Sequence, residues 1–214
     1  MFHIARNGAI SFGSVEGIEN ARLQFERSHC VLLSKFLEPA LLEHIQAQVK
    51  IAEFDENIHQ GIGIELCMRK NSASGLLEFL TNDDRLFQLV QQITRCQRIA
   101  CFNGRVYQLA QGSDLYDSWH DDLGHGRMVA MSINLSTGIY RGGILQIRDT
   151  RSRETVHEVA NVGFGDAVIF RLARHLKHRV TDVEGATPRI AFAGWFQSEP
   201  DFLSLLKEEI RDPR

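Results

Sequence analysis

The chain has 214 residues, a formal charge of −3 and an ordinary share of apolar and charged residues. The length predicts a single globular domain with its own core. Basic residues are scattered apart from a short stretch at 171–179, so we expect no nucleic acid as a main partner. No signal peptide or membrane-spanning stretch is visible, and the four cysteines form no CxxC pair. A cytoplasmic protein is therefore expected.

The first part of the chain is predicted to be mostly helical. Residues 29–37 predict a buried strand, and Glu38-Pro39 then opens a helix, because proline is tolerated in a first helical turn. Apolar residues at helical spacing continue this helix to Phe54. A second helical region covers about 74–96 and contains capping side chains at 81–83. We expect a helical N-terminal part over about residues 1–97.

The second part of the chain is predicted to consist of strands. From about residue 98 the segments become short, rich in Val, Ile and Phe, and separated by Gly, Asn, Asp or Pro. This pattern favours an antiparallel sandwich or barrel over about 98–197 and argues against alternating βαβ units. A C-terminal helix is expected at about 200–211. The predicted fold class is α+β, mainly β with flanking helices, in one domain.

The segment DSWHDDLGHGR, residues 117–127, concentrates potential metal ligands. Two imidazoles and one carboxylate suit a divalent iron that must keep coordination positions open for substrate and oxygen. Alternate residues of a strand project to the same side, so His120 and Asp122 could reach one ion together. Asp121, which lies between them, would then point away. The spacing therefore favours Asp122 over Asp121.

A third ligand must come from a distant segment, and His157, His175 and His178 are the candidates. A hairpin that turns around 184–187 would place His178 on the same strand face as Arg189, whereas His175 has the other parity. His178 is therefore favoured. An arginine that faces the interior of a barrel requires an anion, and its planar fork matches a carboxylate.

The order of these residues resembles that of the Fe(II)/2-oxoglutarate-dependent dioxygenases, and their prolyl 4-hydroxylase-like branch in particular. The resemblance rests on the His-x-Asp pair, the later histidine and the arginine eleven residues after it. The segments RGGILQIRD and GDAVIF support it, and it covers about residues 29–197. It implies a double-stranded β-helix, the jelly roll of cupin-like proteins, with N-terminal helices packed on one sheet.

The same resemblance implies a function and a set of site residues. His120, Asp122 and His178 would ligate Fe(II), Arg189 would bind the distal carboxylate of 2-oxoglutarate, and Tyr107 would donate its hydroxyl to that carboxylate. The enzyme would use O2 to hydroxylate an unactivated C–H of a small molecule or an amino-acid side chain, with release of succinate and CO2. Halogenating relatives replace the ligating carboxylate, so Asp122 favours hydroxylation.

Two other functions are compatible with the same residues. A cupin-like metal-dependent isomerase or hydrolase would keep the three ligands and activate water on zinc, but it would give Arg189 no obligatory carboxylate partner. A non-catalytic relative would bind a ligand without any need for open metal positions. The substrate, whether a small molecule or a peptidyl residue, is expected to enter between loops at 55–75, 111–119 and 136–142.

Overall fold

The structure is a computed structural model that describes residues 2–11, 13–111, 115–160, 163–204 and 207. Its helices are α1 (Val15–Ser28), α2 (Pro39–Lys50), α3 (Ser72–Thr81) and α4 (Asp84–Thr94). Its strands are β1 (His3–Ile4), β2 (Ile10–Ser11), β3 (Cys30–Leu33), β4 (Phe54–His59), β5 (Gly63–Met68), β6 (Cys101–Leu109), β7 (Tyr116–Asp117), β8 (Arg127–Asn134), β9 (Arg141–Gly142), β10 (Leu145–Asp149), β11 (Thr155–Val159), β12 (Ala167–Arg171), β13 (Leu176–Val180), β14 (Val183–Glu184) and β15 (Arg189–Gln197).

Two antiparallel sheets form the body of the protein. The larger sheet has the order β3-β12-β8-β15-β6-β5-β4, with β7 beside β5, and the smaller sheet has the order β11-β10-β13. Strands β9 and β14 pair with each other, as do β1 and β2. Apolar residues of both sheets pack together between them, including Ala130, Val168 and Leu145. The predicted double-stranded β-helix is confirmed.

The main hydrophobic core lies between the larger sheet and the helices. Phe102 of β6 contacts Phe192 and Phe196 of β15, with ring centroids 5.6 and 4.7 Å apart. Leu41, Leu77 and other helical residues join the same core. Successive residues of a strand point to opposite faces, so the phenylalanines of β15 turn toward the helices while Arg189 and Ala193 turn the other way. The expected packing of N-terminal helices on one sheet is confirmed.

The helices differ from the prediction at their ends. Helix α2 starts at Pro39 as expected but ends at Lys50, and Phe54 begins a strand. The second helical region is two helices, because Asp83 caps α4 by accepting from the Arg85 backbone N–H. Helix α1 was not predicted, because only Ala21 and Phe25 of it are buried. Its cap was visible in the sequence as Ser14, whose hydroxyl accepts from Gly17 N.

Residues 54–68, which we expected to form part of a loop, are instead a β-hairpin. Strands β4 and β5 pair antiparallel from Phe54 with Met68 to His59 with Gly63, and β5 continues onto β6. The helical N-terminal part expected over 1–97 therefore also supplies three strands to the larger sheet. The alternation of apolar and polar residues that marks a strand could not be recognised here, because the sequence FDENIH is mostly polar and its side chains are exposed or half-buried.

The predicted hairpin between the last two long strands is wrong. Strand β13 pairs with β10 in the smaller sheet, whereas β15 pairs with β6 and β8 in the larger one. The short strand β14 between them pairs with β9. The chain therefore crosses from one sheet to the other after β13, and His178 and Arg189 approach the same interior from different sheets.

The predicted C-terminal helix falls largely outside the described residues, which end at 204 apart from 207. Among the described helices, each is too short or too polar to cross a membrane.

The core assignment predicts a large loss of stability for Phe192→Ala. This side chain is fully buried, so its removal should leave a cavity and lower the free energy of unfolding by about 3–5 kcal/mol in chemical denaturation. Phe79→Ala is the matched control, because Phe79 is 68% exposed and its loss should change stability by about 0.5 kcal/mol or less. Equal effects of the two substitutions would contradict this packing.

Candidate metal centre and its cavity

The backbone brings the two predicted histidine ligands together directly. His120 N donates to His178 O over 3.1 Å, and His178 N donates to His120 O over 2.8 Å. This isolated antiparallel bridge joins the segment before Asp121 to strand β13. The two imidazole rings consequently lie 4.3 Å apart, centroid to centroid. The pairing is between residues 58 positions apart in the chain, which no local pattern indicates.

Asp122 completes the cluster by a turn of the backbone. It has φ of 55°, so it does not lie in a strand, and the alternation that we used to choose it does not apply. Its Oδ2 lies 3.2 Å from His178 Nε2 and 3.5 Å from His120 Nε2. Asp121 instead accepts a hydrogen bond from Leu123 N within the loop. One ligand atom from each of His120, Asp122 and His178 lies within 4.8 Å of the other two.

The orientation of the His120 ring is set by acceptors on the far side of the ring. Its Nδ1 lies 2.6 Å from Ser118 O and 3.2 Å from Asp117 Oδ1, which leaves Nε2 directed at Asp122. Asp117 is itself held, because its Oδ2 accepts from Val180 N. A hydrogen-bonded acceptor behind a histidine ligand is the usual way to fix its tautomer and direction. Asp117 was not predicted as a site residue.

The charges of the cluster are strongly coupled. Burial alone would lower the His120 pKa, but hydrogen bonds to Asp117 and Asp122 outweigh it and raise the pKa to about 10. Burial acts to raise the pKa of Asp122, yet the two histidines outweigh it and hold the pKa far below its usual range. Two imidazoles around an ionised carboxylate are the donor set that suits a divalent iron, so the residues present fit such an ion.

A cavity of about 230 Å³ extends from this cluster between the two sheets. Its lining combines the three clustered side chains with residues of the larger sheet, the smaller sheet and the β4–β5 hairpin. His157 and His175, the other candidate ligands, are not among its lining residues. His175 packs against His29, with ring centroids 6.2 Å apart. The structure thus brings together the favoured histidine pair and leaves the alternatives elsewhere.

Arg189 lies buried in the cavity wall at the start of β15. Its guanidinium donates to the Tyr107 hydroxyl through Nη1 and to Ser132 Oγ, 3.3 Å away, through Nη2. Both partners are neutral, and among the described residues no carboxylate lies within 4 Å of this cation. Burial of a charge without a counter-charge is costly. The arginine is therefore suited to an anion that enters the cavity.

Room for the Arg189 side chain depends on a glycine. Gly143 has φ of 61°, and a Cβ built on it would lie 2.8 Å from Arg189 Cδ and 2.9 Å from Tyr140 Cε2. A side chain at this position would therefore collide with the arginine as well as strain the backbone. The second glycine of RGGILQIRD is explained in this way.

Tyr107 lies beside the arginine with its hydroxyl proton free to donate. The hydroxyl accepts from Arg189, and burial is the largest of the effects that raise the Tyr107 pKa. The phenol therefore stays protonated at neutral pH and can donate to the same anion as the arginine. The predicted neighbourhood of Tyr107 and Arg189 is present in the structure.

Trp195 and Arg127 border the cluster on another side, and neither belongs to the predicted set of site residues. Trp195 Nε1 donates to Asp122 Oδ2 over 2.8 Å, and Arg127 Nη1 lies 3.8 Å from Asp122 Oδ1. Trp195 could have been found from the sequence, because it has the same strand parity as Arg189. The inward direction of Arg127 could not, since it depends on an irregularity in the strand pairing.

Comparison with known proteins agrees with this geometry. Residues 102–197, which include the cluster, Tyr107 and Arg189, match the family model of the 2OG-Fe(II) oxygenase superfamily. A search of curated proteins found no match.

Several solved structures share the fold. A prolyl-4-hydroxylase from Pseudomonas putida has 16% identity and a TM-score of 0.66, with 86% of this chain and all of that one covered. A prolyl hydroxylase from Trichoplax adhaerens, in complex with a hypoxia inducible factor peptide, has 15% identity and a TM-score of 0.61, covering 95% and 99%. The epimerase SnoN, in complex with Fe3+ and alpha ketoglutarate, has 11% identity and a TM-score of 0.60, covering 89% of each chain.

Because these identities are low, the solved structures support only the similarity of the fold. The family model, by contrast, matches the amino-acid sequence of the β-helix itself. The superfamily uses Fe(II), 2-oxoglutarate and O2, and the cluster offers the two histidines and one aspartate that such an iron needs. The expected resemblance is confirmed. Residues 102–197 of this chain therefore match the 2OG-Fe(II) oxygenase superfamily, and the chain has the fold of the prolyl 4-hydroxylases.

Proposed function

We propose that His120, Asp122 and His178 ligate Fe(II) and that Arg189 and Tyr107 bind the distal carboxylate of 2-oxoglutarate. The observation that carries the proposal is the convergence of three ligand atoms within 4.8 Å at the wall of a cavity that also contains a buried arginine, which has no acidic partner among the described residues. When bound, the iron and 2-oxoglutarate supply the oxidising chemistry, which converts 2-oxoglutarate and O2 into succinate and CO2 and oxidises the substrate.

The chain's own residues bind and orient the reactants. Asp117 and Ser118 hold the His120 ring so that Nε2 faces the ion, and Trp195 holds the Asp122 carboxylate. Three protein ligands would hold a divalent iron while leaving it open to further ligands. Arg189 and Tyr107 fix one end of the co-substrate, which orients its other end toward the ion. The apolar walls around Leu145 and Phe170 keep bulk water out of this part of the cavity.

We propose hydroxylation of an unactivated C–H of a small molecule or an amino-acid side chain as the reaction. The carboxylate of Asp122 supports hydroxylation over halogenation, because halogenating relatives replace the ligating carboxylate. The zinc isomerase or hydrolase alternative has no use for the buried Arg189, and the family match disfavours it. The same match disfavours a relative that only binds a ligand.

Substrate access is assigned to the side of the cavity bordered by the β4–β5 hairpin and β7. Ile62, Ile64 and Tyr116 line the cavity there, and Ile62 and Tyr116 are also exposed to solvent. This edge includes parts of the predicted entrance at 55–75 and 111–119, although it is built from strands, and the third predicted loop, 136–142, contributes Tyr140 to the cavity lining. A reducing, cytoplasmic compartment remains our expectation, supported by four free cysteines of which Cys30 and Cys101 are buried.

Metal binding should release a proton from His120. Its pKa of about 10 keeps it protonated in the metal-free protein at neutral pH, whereas a metal ligand must be neutral. Calorimetric titration of the divalent ion in buffers of different ionisation enthalpy should therefore show roughly one proton released per ion near neutral pH. The release should vanish as the pH rises through about 10, where His120 is already neutral.

Asp117→Asn tests the cause of this proton release. The substitution removes a carboxylate that raises the His120 pKa, so less of the ring should be protonated and fewer protons should be released. Unchanged release in this variant would show that Asp117 does not control the His120 charge.

Arg189→Ala should weaken 2-oxoglutarate binding by about 30-fold or more, because the charged partner of a buried carboxylate is lost. Tyr107→Phe should weaken it by roughly 2- to 10-fold, the effect of one hydrogen bond. Both are measured by anaerobic titration of the Fe(II)-loaded protein, following the weak visible charge-transfer band. If Arg189→Ala binds 2-oxoglutarate as tightly as the wild-type protein does, the co-substrate does not bind beside Arg189.

His178→Ala should abolish succinate formation because the ion loses one of three ligands. His175→Ala is the matched control, since this histidine was also a candidate ligand but packs against His29 outside the cavity. Its succinate formation should stay within about 2-fold of wild type. Turnover in His178→Ala equal to that of the control would mean that the third ligand is misassigned.

A further inference from the structure

Three side chains from adjacent strands form a row on the cavity side of the larger sheet. Arg105 comes from β6, Trp195 from β15 and Arg127 from β8, and all three line the cavity. The guanidinium carbon of Arg127 lies 3.6 Å from the Trp195 ring centroid, and that of Arg105 lies 5.3 Å from it. We call these residues the Arg-Trp-Arg row. Its Trp195 also donates to Asp122, so the row borders the proposed iron position.

Arg127 reaches this row because of a β-bulge. In the β8–β15 pairing, Phe196 is opposite Val129 but Gln197 is opposite Arg127, so Met128 is an extra residue. Ala130 and Ser132 face the cavity, and regular alternation would turn Arg127 to the opposite face with Val129. The bulge reverses that direction. Bulges near active sites often redirect a side chain in this way.

The two arginines of the row differ in how their charges are balanced. Arg105 donates through Nε to Glu65, a buried carboxylate of β5 that also contacts His59. Arg127 has one acidic neighbour among the described residues, Asp122, and the nearest atoms are 3.8 Å apart. The other oxygen of Asp122 faces the two histidines. Arg127 Nε is buried and has no hydrogen-bond partner in the part of the chain that the structure describes. When Asp122 binds a metal ion, its negative charge is shared with that ion. The positive charge of Arg127 then has no acidic partner of its own among the described residues.

We propose that Arg127, with Arg105 beside it, binds a carboxylate of the primary substrate, so that the enzyme acts on acids, either as free molecules or as acidic residues of a peptide. The identification of the cavity as an oxygenase site rests on the proposed function above. A planar guanidinium fork is well matched to a carboxylate and binds it more strongly than it binds a neutral amide.

The carboxylate at this position is not that of 2-oxoglutarate. Arg189 begins β15 and Trp195 lies six residues later, which corresponds to roughly 20 Å along a strand. Arg127 is paired with Gln197 at the far end of β15, so a co-substrate held by Arg189 leaves Arg127 available to a second carboxylate. Arg127 and Arg189 thus both line the cavity, together with the three clustered side chains, and Arg127 lies beside Asp122.

The test measures ligand binding to the protein loaded with Fe(II) and 2-oxoglutarate in the absence of oxygen. One set of probes consists of free L-amino acids and their carboxamides. A second set consists of terminally blocked tripeptides with a central Asp or Glu and the same peptides with Asn or Gln. Calorimetry should show at least one acid that binds wild-type protein tenfold or more tightly than its neutral counterpart. The set that contains this acid identifies the source of the carboxylate.

Three variants assign this preference to Arg127. Arg127→Gln should reduce the affinity for the acid to that for the amide, whereas Arg127→Lys, which keeps the charge, should restore part of it. Arg148→Gln is the matched control. Arg148 also stacks on a tryptophan, Trp119, and its buried Nε also has no partner among the described residues, but it does not line the cavity. This control should keep the full preference for the acid.

Three results would overturn the proposal. They are the absence of any acid preferred over its amide, an unchanged preference in Arg127→Gln, and a loss of iron affinity in Arg127→Gln with the preference intact. The last would make Arg127 a positioning residue for Asp122. Failure of wild-type protein to bind 2-oxoglutarate would instead refute the proposed function. Normal 2-oxoglutarate binding without a preference for acids would refute only this inference.

Discussion

Two backbone hydrogen bonds between His120 and His178 bring the whole site together. They are the point at which the loop after β7 is tied to the smaller sheet. Because Asp122 follows His120 after a single residue, the same two bonds deliver all three potential ligands to one place. Asp117 strengthens the connection by accepting from the β13 backbone at Val180 while it also faces the His120 ring. Backbone pairing and ligand orientation are therefore parts of one arrangement.

The second constraint is electrostatic. Three arginines, Arg105, Arg127 and Arg189, line a cavity whose acidic residues are already engaged with other partners. Glu65 pairs with Arg105, and Asp117 and Asp122 surround His120. Desolvated charges are tolerated only when they are compensated, so the distribution of these groups indicates what the cavity accepts. The cluster of His120, Asp122 and His178 is the proposed place of a cation, and Arg127 and Arg189 are the proposed partners of anions.

A single strand, β15, serves both the core and the cavity through alternation. Phe192 and Phe196 anchor it in the helix-covered core, while Arg189 and Trp195 project into the cavity. A rigid strand packed between β6 and β8 on both edges is a suitable support for groups whose positions must be kept within tenths of an ångström. Access, by contrast, is assigned to the β4–β5 hairpin at the margin of the sheet, where Ile58 is 60% exposed.

From the sequence alone, short-range order could be read: the strand-rich second half, the start of α2 at Pro39, the faces of β15, and the order of His120, Asp122, His178 and Arg189. These features could be predicted because they depend on residues that are close in sequence, and the periodicity of apolar residues and the spacing of motifs describe such local relations. The tertiary structure decided which strands pair, and it replaced the expected β13–β15 hairpin with a crossing between sheets. It also decided that Asp122 reaches the cluster through a left-handed backbone turn, and that a bulge directs Arg127 inward. These features depend on contacts between residues far apart in sequence, whose energies no local pattern records.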